Sequence, residues 1–208
     1  MLNMHPEAIT SEAKKVFEKL KNFSDFYLAG GTGLALQIGH RVSVDFDFFS
    51  NNYISEDLLS RIEEVFKDSD IKIIINQPEQ LTVLIDGVNL SFIYYPFPVF
   101  SGPIDYQGIK ILPSLEIASM KAYTLGRRAT LKDYIDLYFV VKEKIGTLEE
   151  IIELCEKKHG EKFDPRLFLE QLIYLEDVEP MKIQFLRETV SQREIQDFFE
   201  KQIKKIKI

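Results

Sequence analysis

The amino-acid sequence predicts an α+β protein in which an α/β half is followed by a helical half. Strand-like apolar segments alternate with amphipathic helical patterns as far as Tyr94, whereas every apolar pattern beyond Pro113 has helical spacing. Prolines and glycines interrupt the pattern from Tyr95 to Gly108, which predicts a connecting loop. The predicted domains are therefore residues 1–108, an α/β domain, and residues 109–208, a helical domain.

The first half contains three predicted helices and five predicted strands. An apolar stripe among charged residues predicts helices over residues 6–22 and 55–67, and the residues after the Gly30-Gly31 turn predict a further helix over residues 32–39. Short apolar or alternating runs predict strands over residues 26–29, 41–48, 71–76, 81–85 and 88–94. Asp86-Gly87 predicts a tight hairpin between the last two strands. Thr32 is expected near the N-cap of its helix. In the second half, helices are predicted over residues 114–125, 131–144, 148–159, 165–175 and 191–205.

Composition narrows the class of protein. The net charge of −7 argues against a protein that grips nucleic acid over its whole surface, so a polyanionic substrate would be held locally. No apolar run is long enough to span a membrane and the first residues lack a secretory pattern, so we expect a cytoplasmic protein with no membrane partner. Cys155 lies in an apolar helical pattern and is expected to be a buried structural thiol.

Gly30-Gly31-Thr32 lies between a predicted strand and a predicted helix. Glycines there let the backbone approach a ligand closely, and the positive end of the helix favours phosphate. This triplet is therefore a candidate cradle for a triphosphate. A tight strand-to-helix turn with no ligand is the alternative.

Asp45 and Asp47 alternate with apolar residues on one predicted strand, so both carboxylates point to the same side. Two like charges about 5 Å apart repel by roughly 3 kcal/mol at an effective dielectric near 20, which a cation would relieve. Oxygen ligands of this kind suit Mg²⁺, with Mn²⁺ as the second choice. The alternative is a solvent-facing strand edge that binds no metal.

A phosphate cradle beside a metal-binding acid pair is what phosphoryl or nucleotidyl transfer requires. The glycine-glycine-threonine turn, twelve intervening residues and the acid-apolar-acid triplet resemble the signature of the polymerase-β-like nucleotidyltransferase superfamily. Residues 28–36 and 39–49 are similar to the AbiEii/AbiGii toxin family of abortive-infection toxin–antitoxin pairs. The resemblance implies a mixed sheet in the α/β domain, an NTP substrate and a small antitoxin partner.

A second stretch carries the same resemblance. It comprises Ile117-Ala118-Ser119-Met120-Lys121, Arg127-Arg128 and Lys132-Asp133-Tyr134-Ile135-Asp136-Leu137. The resemblance implies that Lys121 contacts nucleotide phosphate, with Arg128 beside it, and that Asp133 or Asp136 completes the active site. An ordinary salt-bridged helix surface is the alternative for this cluster.

The sequence departs from the superfamily pattern at one position. Many members carry a third metal-binding acid on a later strand, whereas residues 88–94 contain none, and Asn89 or Ser91 would be poor substitutes. Two hypotheses follow. Either a helical aspartate supplies the charge, or the protein binds nucleotide without efficient transfer and acts through a protein partner.

Other residues receive weaker predictions. Arg41 could pair with a nucleotide phosphate or with Asp45, while His40 is expected to be a hydrogen-bonded structural residue. Two further groups could contact RNA or a base, although a solvated helix end and core packing are the alternatives. They are the C-terminal Lys201, Lys204, Lys205 and Lys207 and the aromatic Phe92, Tyr94, Tyr95, Phe97 and Phe100.

The leading functional hypothesis is a metal-dependent nucleotidyltransferase that moves a nucleotide from an NTP to a hydroxyl acceptor, with an RNA end as the acceptor. Asp45 and Asp47 would hold the metal, and Gly31 and Thr32 would cradle the triphosphate. A nucleotide-binding module without turnover is the second hypothesis. A kinase or nucleotide hydrolase built from the same parts is the third.

Overall fold

The computed structural model describes residues 4–206 and shows one seven-stranded mixed sheet with helices packed against it. Its strands are β1 (Tyr27–Leu28), β2 (Phe46–Ser50), β3 (Ile71–Gln77), β4 (Gln80–Ile85), β5 (Val88–Tyr94), β6 (Ile104–Tyr106) and β7 (Ile109–Ile111). They lie in the order β3-β4-β5-β2-β1-β7-β6. The β2–β5 and β1–β7 pairs are parallel and the other pairs are antiparallel. The α+β class and the mixed sheet are confirmed.

Within residues 4–206, eight α-helices accompany the sheet. They are α1 (Ser11–Phe17), α2 (Gly30–Ile38), α3 (Leu58–Val65), α4 (Ser114–Leu125), α5 (Leu131–Lys142), α6 (Leu148–His159), α7 (Pro165–Leu172) and α8 (Gln192–Ile203). The predicted helix over residues 6–22 is broken, because single 3₁₀ turns flank α1 on both sides. The Asp86-Gly87 hairpin is confirmed, with φ of 49° and 86° as a two-residue turn requires.

The regular strand β2 begins at Phe46, so the prediction that it starts near Arg41 is wrong. The preceding residues bond to other parts of the chain: Ser43 N–H donates to the carbonyl of Ala8 at 2.8 Å and Val42 N–H to that of Gln184 at 2.8 Å. These bonds satisfy the backbone outside the sheet ladder. Residues 40–45 therefore form an arm that leads into β2.

The segment from Tyr95 to Gly108, predicted as a loop, contains β6. Gln107 and Gly108 have φ of 57° and 81° and close a hairpin between β6 and β7, and β7 pairs with β1 through Leu28 and Ile111. Each of these strands has only three residues, too few for alternation to show among the flanking prolines and glycines. The sheet therefore continues past residue 108, and the division at that residue stays a prediction.

The core consists of two hydrophobic clusters that meet at α2. One lies between the sheet, α1 and α3 and includes Leu36, and the other lies among α4 to α8 and includes Leu34 and Ile38. Because α2 contributes to both clusters, the Gly30 end of this helix is held between the sheet and the later helices.

A segment between α7 and α8, residues 180–190, runs antiparallel to the first residues of the arm, where Arg41 pairs with Phe185. Leu186 N–H donates to the carbonyl of His40 at 3.1 Å, and Arg187 donates to the carbonyls of Ile38 and Gly39 at 2.5 and 3.1 Å. Arg187 also pairs with Glu143 at 2.6 Å. This segment ties the C-terminal part of the chain to the end of α2. None of the helices in residues 4–206 combines the length and apolar character that a membrane crossing requires.

Candidate active site

The glycine turn brings the start of α2 against two site residues. Gly30 has a φ of +61°, and a Cβ placed there would lie 2.6 Å from Asp47 Oδ2. A Cβ on Gly31 would lie 2.6 Å from Arg41 Nη2. Neither position has room for a side chain, so the two glycines allow the backbone to approach an acid and a guanidinium at once.

Thr32 is buried in the first turn of α2. Its hydroxyl donates to the backbone carbonyl of Asp45 and hydrogen-bonds Ser43 Oγ at 2.8 Å. The expected place near the N-cap is wrong, because α2 begins at Gly30 and its N-cap is Ala29. Thr32 therefore holds the arm, through Ser43 and Asp45, against α2. The contact of Thr32 with a triphosphate stays a prediction.

Asp45 and Asp47 lie at the start of β2, a central strand between β1 and β5. Asp47 is partly buried, and its carbonyl accepts a bond from Ala29 N–H at 3.0 Å. Asp45 Oδ1 accepts from Asn89 Nδ2 at 3.1 Å. The alternative of a solvent-facing sheet edge is therefore wrong, because the acid pair lies in the middle of the sheet beside the glycine turn.

The electrostatic environment of Asp47 favours a bound cation. Burial and the neighbouring Asp45 raise the pKa of the Asp47 carboxyl, while Lys121 and Arg128 act in the opposite direction. The net shift is upward, so the positive charges of the chain do not compensate the ionised carboxylate fully. A divalent ion bound at the acid pair would supply that compensation.

The strand beside the acid pair carries no third acid. β5 runs parallel to β2 with Ser91 paired to Asp47, and Asn89 contacts Asp45. Within residues 4–206, no group of three or more histidine, cysteine or acidic side chains is placed to hold a metal ion. The neutral amide of Asn89 and the hydroxyl of Ser91 are the polar groups that β5 presents next to the acid pair.

Asp136 of α5 lies at the centre of a buried ionic cluster. Its carboxylate is fully buried and accepts two bonds from Arg41, from Nε at 2.7 Å and from Nη2 at 2.9 Å. His40 Nε2 lies 2.7 Å from Asp136 Oδ1, and Lys121 Nζ lies 2.6 Å from Oδ2. Burial opposes ionisation, yet Arg41 and Lys121 hold the pKa of Asp136 well below its usual range. Asp136 therefore joins the arm before β2 to α4 and α5.

Lys121 of α4 bridges both aspartates of α5. Its ammonium contacts Asp133 Oδ1 at 2.8 Å as well as Asp136, and Thr130 donates to Asp133 Oδ2 at 2.7 Å. Burial would lower the pKa of Lys121, but Asp136 and Asp133 raise it above its usual value. These side chains are buried, so the alternative of an ordinary salt-bridged surface is wrong.

Comparison with known proteins shows the family. Residues 15–207 match the model of the nucleotidyl transferase AbiEii toxin family, a type IV toxin–antitoxin system. The chain belongs to the AbiEii nucleotidyltransferase toxin family. It is also 31% identical to an uncharacterised protein of Aquifex aeolicus over 94% of this chain and 96% of that one.

Solved structures share the fold of this AbiEii-family chain at low sequence identity. A Helicobacter pylori protein provisionally described as a nucleotidyltransferase is 22% identical, with a TM-score of 0.62 and coverage of 97% of both chains. The nucleotidyltransferase toxin MenT4 of Mycobacterium tuberculosis is 14% identical, with a TM-score of 0.60 over 90% of this chain and 82% of that one. The polymerase-β-like nucleotidyltransferase fold expected from the sequence is confirmed.

The AbiEii-family structure places the sequence-predicted residues in two groups. Asp45, Asp47, Gly30 and Gly31 lie together at the start of α2 and β2, and Arg128 is exposed beyond α4. The other predicted site residues, except Thr32, form the buried cluster, which comprises Arg41, Lys121, Asp133 and Asp136. The structural role expected for His40 is confirmed by its contact with Asp136.

Sequence reasoning missed several partners of these residues. Arg41 bonds Asp136 rather than Asp45, a contact between distant parts of the chain that no local spacing indicates. Ser43 and the extended segment around Gln184 also support the arm, and neither carries a recognisable motif. Asn89 could be found from the sequence, because it lies on the strand where many superfamily members carry the third acid.

Proposed function

We propose that this AbiEii-family protein transfers a nucleotide from an NTP to a hydroxyl acceptor on RNA in a reaction that requires a divalent metal. The observation that supports this proposal is the contact between the Gly30 turn and the acid pair. The backbone at Gly30 approaches Asp47 so closely that a Cβ would lie 2.6 Å from its carboxylate oxygen. A phosphate group bound at the start of α2 would therefore be adjacent to a metal bound by the acids.

The residues present fit a metal ion, which we propose is Mg²⁺ or Mn²⁺. Asp45 and Asp47 offer the one or two carboxylates that Mg²⁺ takes from proteins, and the raised pKa of Asp47 indicates a carboxylate without full compensation. When bound, the ion would neutralise phosphate charge and polarise the phosphorus centre. Asn89 donates to Asp45 Oδ1 and restrains the orientation of that carboxylate.

We propose that the nucleotide phosphates lie at the first turn of α2. Gly30 and Gly31 would present backbone N–H groups, and the positive end of the helix favours an anion. Arg128 is exposed and lowers the pKa of Asp47, so its charge acts on the same place and it is the candidate side-chain contact to phosphate. Lys121 would assist through its charge, since two carboxylates already hold its ammonium.

Arg41, Asp133 and Asp136 are proposed as positioning residues. Arg41 Nη2 packs against Gly31 and donates to Asp136. The Arg41–Asp136 pair therefore supports the glycine turn. Asp133 and Asp136 hold Lys121. Neither helical aspartate would complete the metal site unless these ion pairs first broke.

Incubation of purified protein with each α-labelled NTP, Mg²⁺ or Mn²⁺ and total RNA tests this function. We expect labelled RNA and pyrophosphate with the wild type and no labelling with Asp45→Ala. Asp68→Ala is the matched control, because Asp68 is an exposed acid remote from the site in sequence. Absence of labelling with every NTP and metal would refute the proposal. Formation of labelled NDP, with the γ-phosphoryl group passed to an acceptor or to water, would indicate phosphoryl transfer or hydrolysis instead.

Binding without turnover is the second candidate function, and the neutral Asn89 beside Asp45 is the observation that favours it. The protein would then recognise an NTP and act through a protein partner. Calorimetry separates the two functions: NTP binding that is unaffected by Mg²⁺ and by Asp47→Asn, together with no labelling, would establish the binding module. For either function, the family implies an antitoxin that opposes the protein, and an NTP ligand is consistent with a cytoplasmic site of action.

A further inference from the structure

Three cations lie over three aromatic rings on one side of the molecule. Arg127 lies 3.7 Å from the ring centre of Tyr123, Lys157 lies 4.1 Å from that of Phe100 and Lys162 lies 5.6 Å from that of Phe97. The ring centres of Phe97 and Tyr123 are 5.3 Å apart, and Arg127 also donates to the carbonyl of Lys162 at 3.3 Å. Phe100 is three residues from Phe97, and Lys157 and Lys162 lie on either side of the end of α6, so the six residues are called here the aromatic–basic strip.

The charges of the strip are not neutralised by ion pairs. Arg127, Lys157 and Lys162 are exposed, and within residues 4–206 none of them lies within 4.0 Å of a carboxylate oxygen. Glu156 and Glu161 are neighbours in sequence and reduce the net charge of this region. An unpaired set of cations is nevertheless a distinct local feature in a chain whose net charge is −7.

His159 is buried beneath the strip, where its ring contacts the rings of Phe97 and Tyr123. Its ring stacks on Tyr123 with centres 3.6 Å apart, and neither ring nitrogen has a hydrogen-bond partner in the described part of the chain. Burial first, and then the charges of Lys158, Arg127 and Lys162, lower the pKa of His159 to about 4. His159 is therefore neutral at pH 7, and the positive potential at its ring comes from the surrounding cations.

We propose that the aromatic–basic strip binds a single-stranded nucleic acid. The cations would move off the rings to contact the phosphates, and the exposed Phe100 and the partly buried Phe97 would then offer ring surface to unpaired bases, the combination that single-strand binding surfaces use. Arg128 follows Arg127 and is also exposed, so it adds a further positive charge at this end of the strip. That the bound strand is the acceptor rests on the proposed function, whereas binding itself does not.

Binding is measured by fluorescence anisotropy with labelled U₁₂ RNA, dT₁₂ DNA and an RNA duplex. The full chain carries Asp45→Ala, and EDTA without NTP keeps the measurement independent of catalysis. We expect the Lys157→Glu/Lys162→Glu variant to bind U₁₂ about tenfold more weakly and to show a salt slope smaller by about 1.4, from two lost phosphate contacts. Lys14→Glu/Lys15→Glu changes the charge equally on exposed residues of α1 and should bind within about twofold of the parent.

Stacking is tested with Phe100→Leu, which retains the charge of the strip. Phe100 is 44% exposed, and we expect about fivefold weaker binding, because stacking on an aromatic ring stabilises each bound base. Tyr53→Leu, at a residue that is 60% exposed, is the matched control and should leave binding unchanged. Stronger binding of U₁₂ than of dT₁₂ identifies RNA as the ligand, and equal binding supports a strand of either kind.

Each of the following results would overturn the inference: no binding of U₁₂ at low salt, equal weakening by the two double charge variants, or preference for the duplex. Failure of nucleotide transfer while U₁₂ binding is intact would refute the proposed function. It would not contradict nucleic-acid binding by the strip. Transfer that proceeds normally in Lys157→Glu/Lys162→Glu, with binding also intact, would refute the strip alone.

Discussion

Two features make glycine necessary at residue 30, its positive φ and the lack of space for a Cβ, and a comparison with Gly87 separates them. Its φ of +61° costs an L-residue about 1–2 kcal/mol, and an added Cβ would also meet Asp47 Oδ2 at 2.6 Å. We expect Gly30→Ala to lower the free energy of unfolding by at least this amount and to abolish Mn²⁺ and NTP binding. Gly87→Ala has the same kind of backbone strain, at φ +86°, but no atom within 4 Å of its Cβ. Urea unfolding and calorimetry on both variants test this, and equal ligand binding by the two variants would contradict it.

Asp47 is expected to weaken the fold in the absence of metal. The pKa of Asp47 in the folded state is raised above its usual value of 3.8, so the unfolded state binds fewer protons at pH values between the two. Stability is therefore lost as pH rises through the folded pKa. We therefore expect Asp47→Asn to raise the melting temperature at pH 7 in EDTA, with the advantage vanishing near pH 3.

Bound metal should reverse the order of the melting temperatures of the wild type and Asp47→Asn. Saturating Mn²⁺ stabilises a protein that binds it in the folded state only, so the wild type should gain and Asp47→Asn should not. Asp68→Asn, at an exposed site, controls for the loss of one negative charge. A variant that is less stable than the wild type in EDTA would show that Asp47 has a structural partner rather than an uncompensated charge.

Two aspartate–arginine pairs in this chain differ in burial and in further partners, because Asp136 also contacts Lys121 and His40. Asp136 accepts two bonds from Arg41 in the interior, whereas Asp25 accepts two bonds from Arg61 at 3.0 Å on the surface. We expect Asp136→Asn to cost about 3–5 kcal/mol, because it leaves buried cations without a partner charge. Asp25→Asn should cost at most about 1 kcal/mol.

The pH dependence of stability should distinguish the same pairs. The pKa of Asp136 is depressed, so its contribution is present above the unfolded pKa of 3.8 and is lost as pH falls through the folded pKa. Urea unfolding between pH 7 and pH 2 should therefore show a steep acid loss in wild type that Asp136→Asn reduces. Similar costs for Asp136→Asn and Asp25→Asn would contradict the assigned role of the cluster.

Helices with a clear apolar period could be predicted from sequence to the residue: α4 and α6 begin and end where their patterns do. The hairpin at Asp86-Gly87 could also be predicted, because this dipeptide favours the positive φ angles of a two-residue turn. The start of β2 could not be predicted, because alternation continues through Arg41 while the backbone there bonds Gln184 and Ala8 instead of a strand. The glycine turn and the acid pair are local and were found, whereas the Arg41–Asp136 contact depends on tertiary packing.

Residues from both predicted halves of the chain form the candidate site. The acid pair and the glycine turn belong to the first half, while Lys121, Arg128 and Asp136 come from the second. The two hydrophobic clusters also meet at α2, the helix that begins with the glycine turn, through Leu34 and Leu36. The geometry of the site therefore depends on the packing of the later helices against α2, and the two halves are expected to fold together.

A fragment of residues 1–108 should consequently fail to fold. It lacks β7, the parallel neighbour of β1, and it leaves Arg41 without Asp136 and exposes Leu34 and Ile38 of α2. Circular dichroism and a proton NMR spectrum of the fragment should show a poorly ordered chain.

In the full protein, hydrogen exchange should give similar global free energies of opening for the amides of β5 and α5, because a cooperative unit opens as a whole. A folded fragment, or α5 amides that open at a much lower free energy than those of β5, would show that the halves are independent. The buried ionic cluster would then join two stable domains, and its loss would change their relative positions rather than unfold the site.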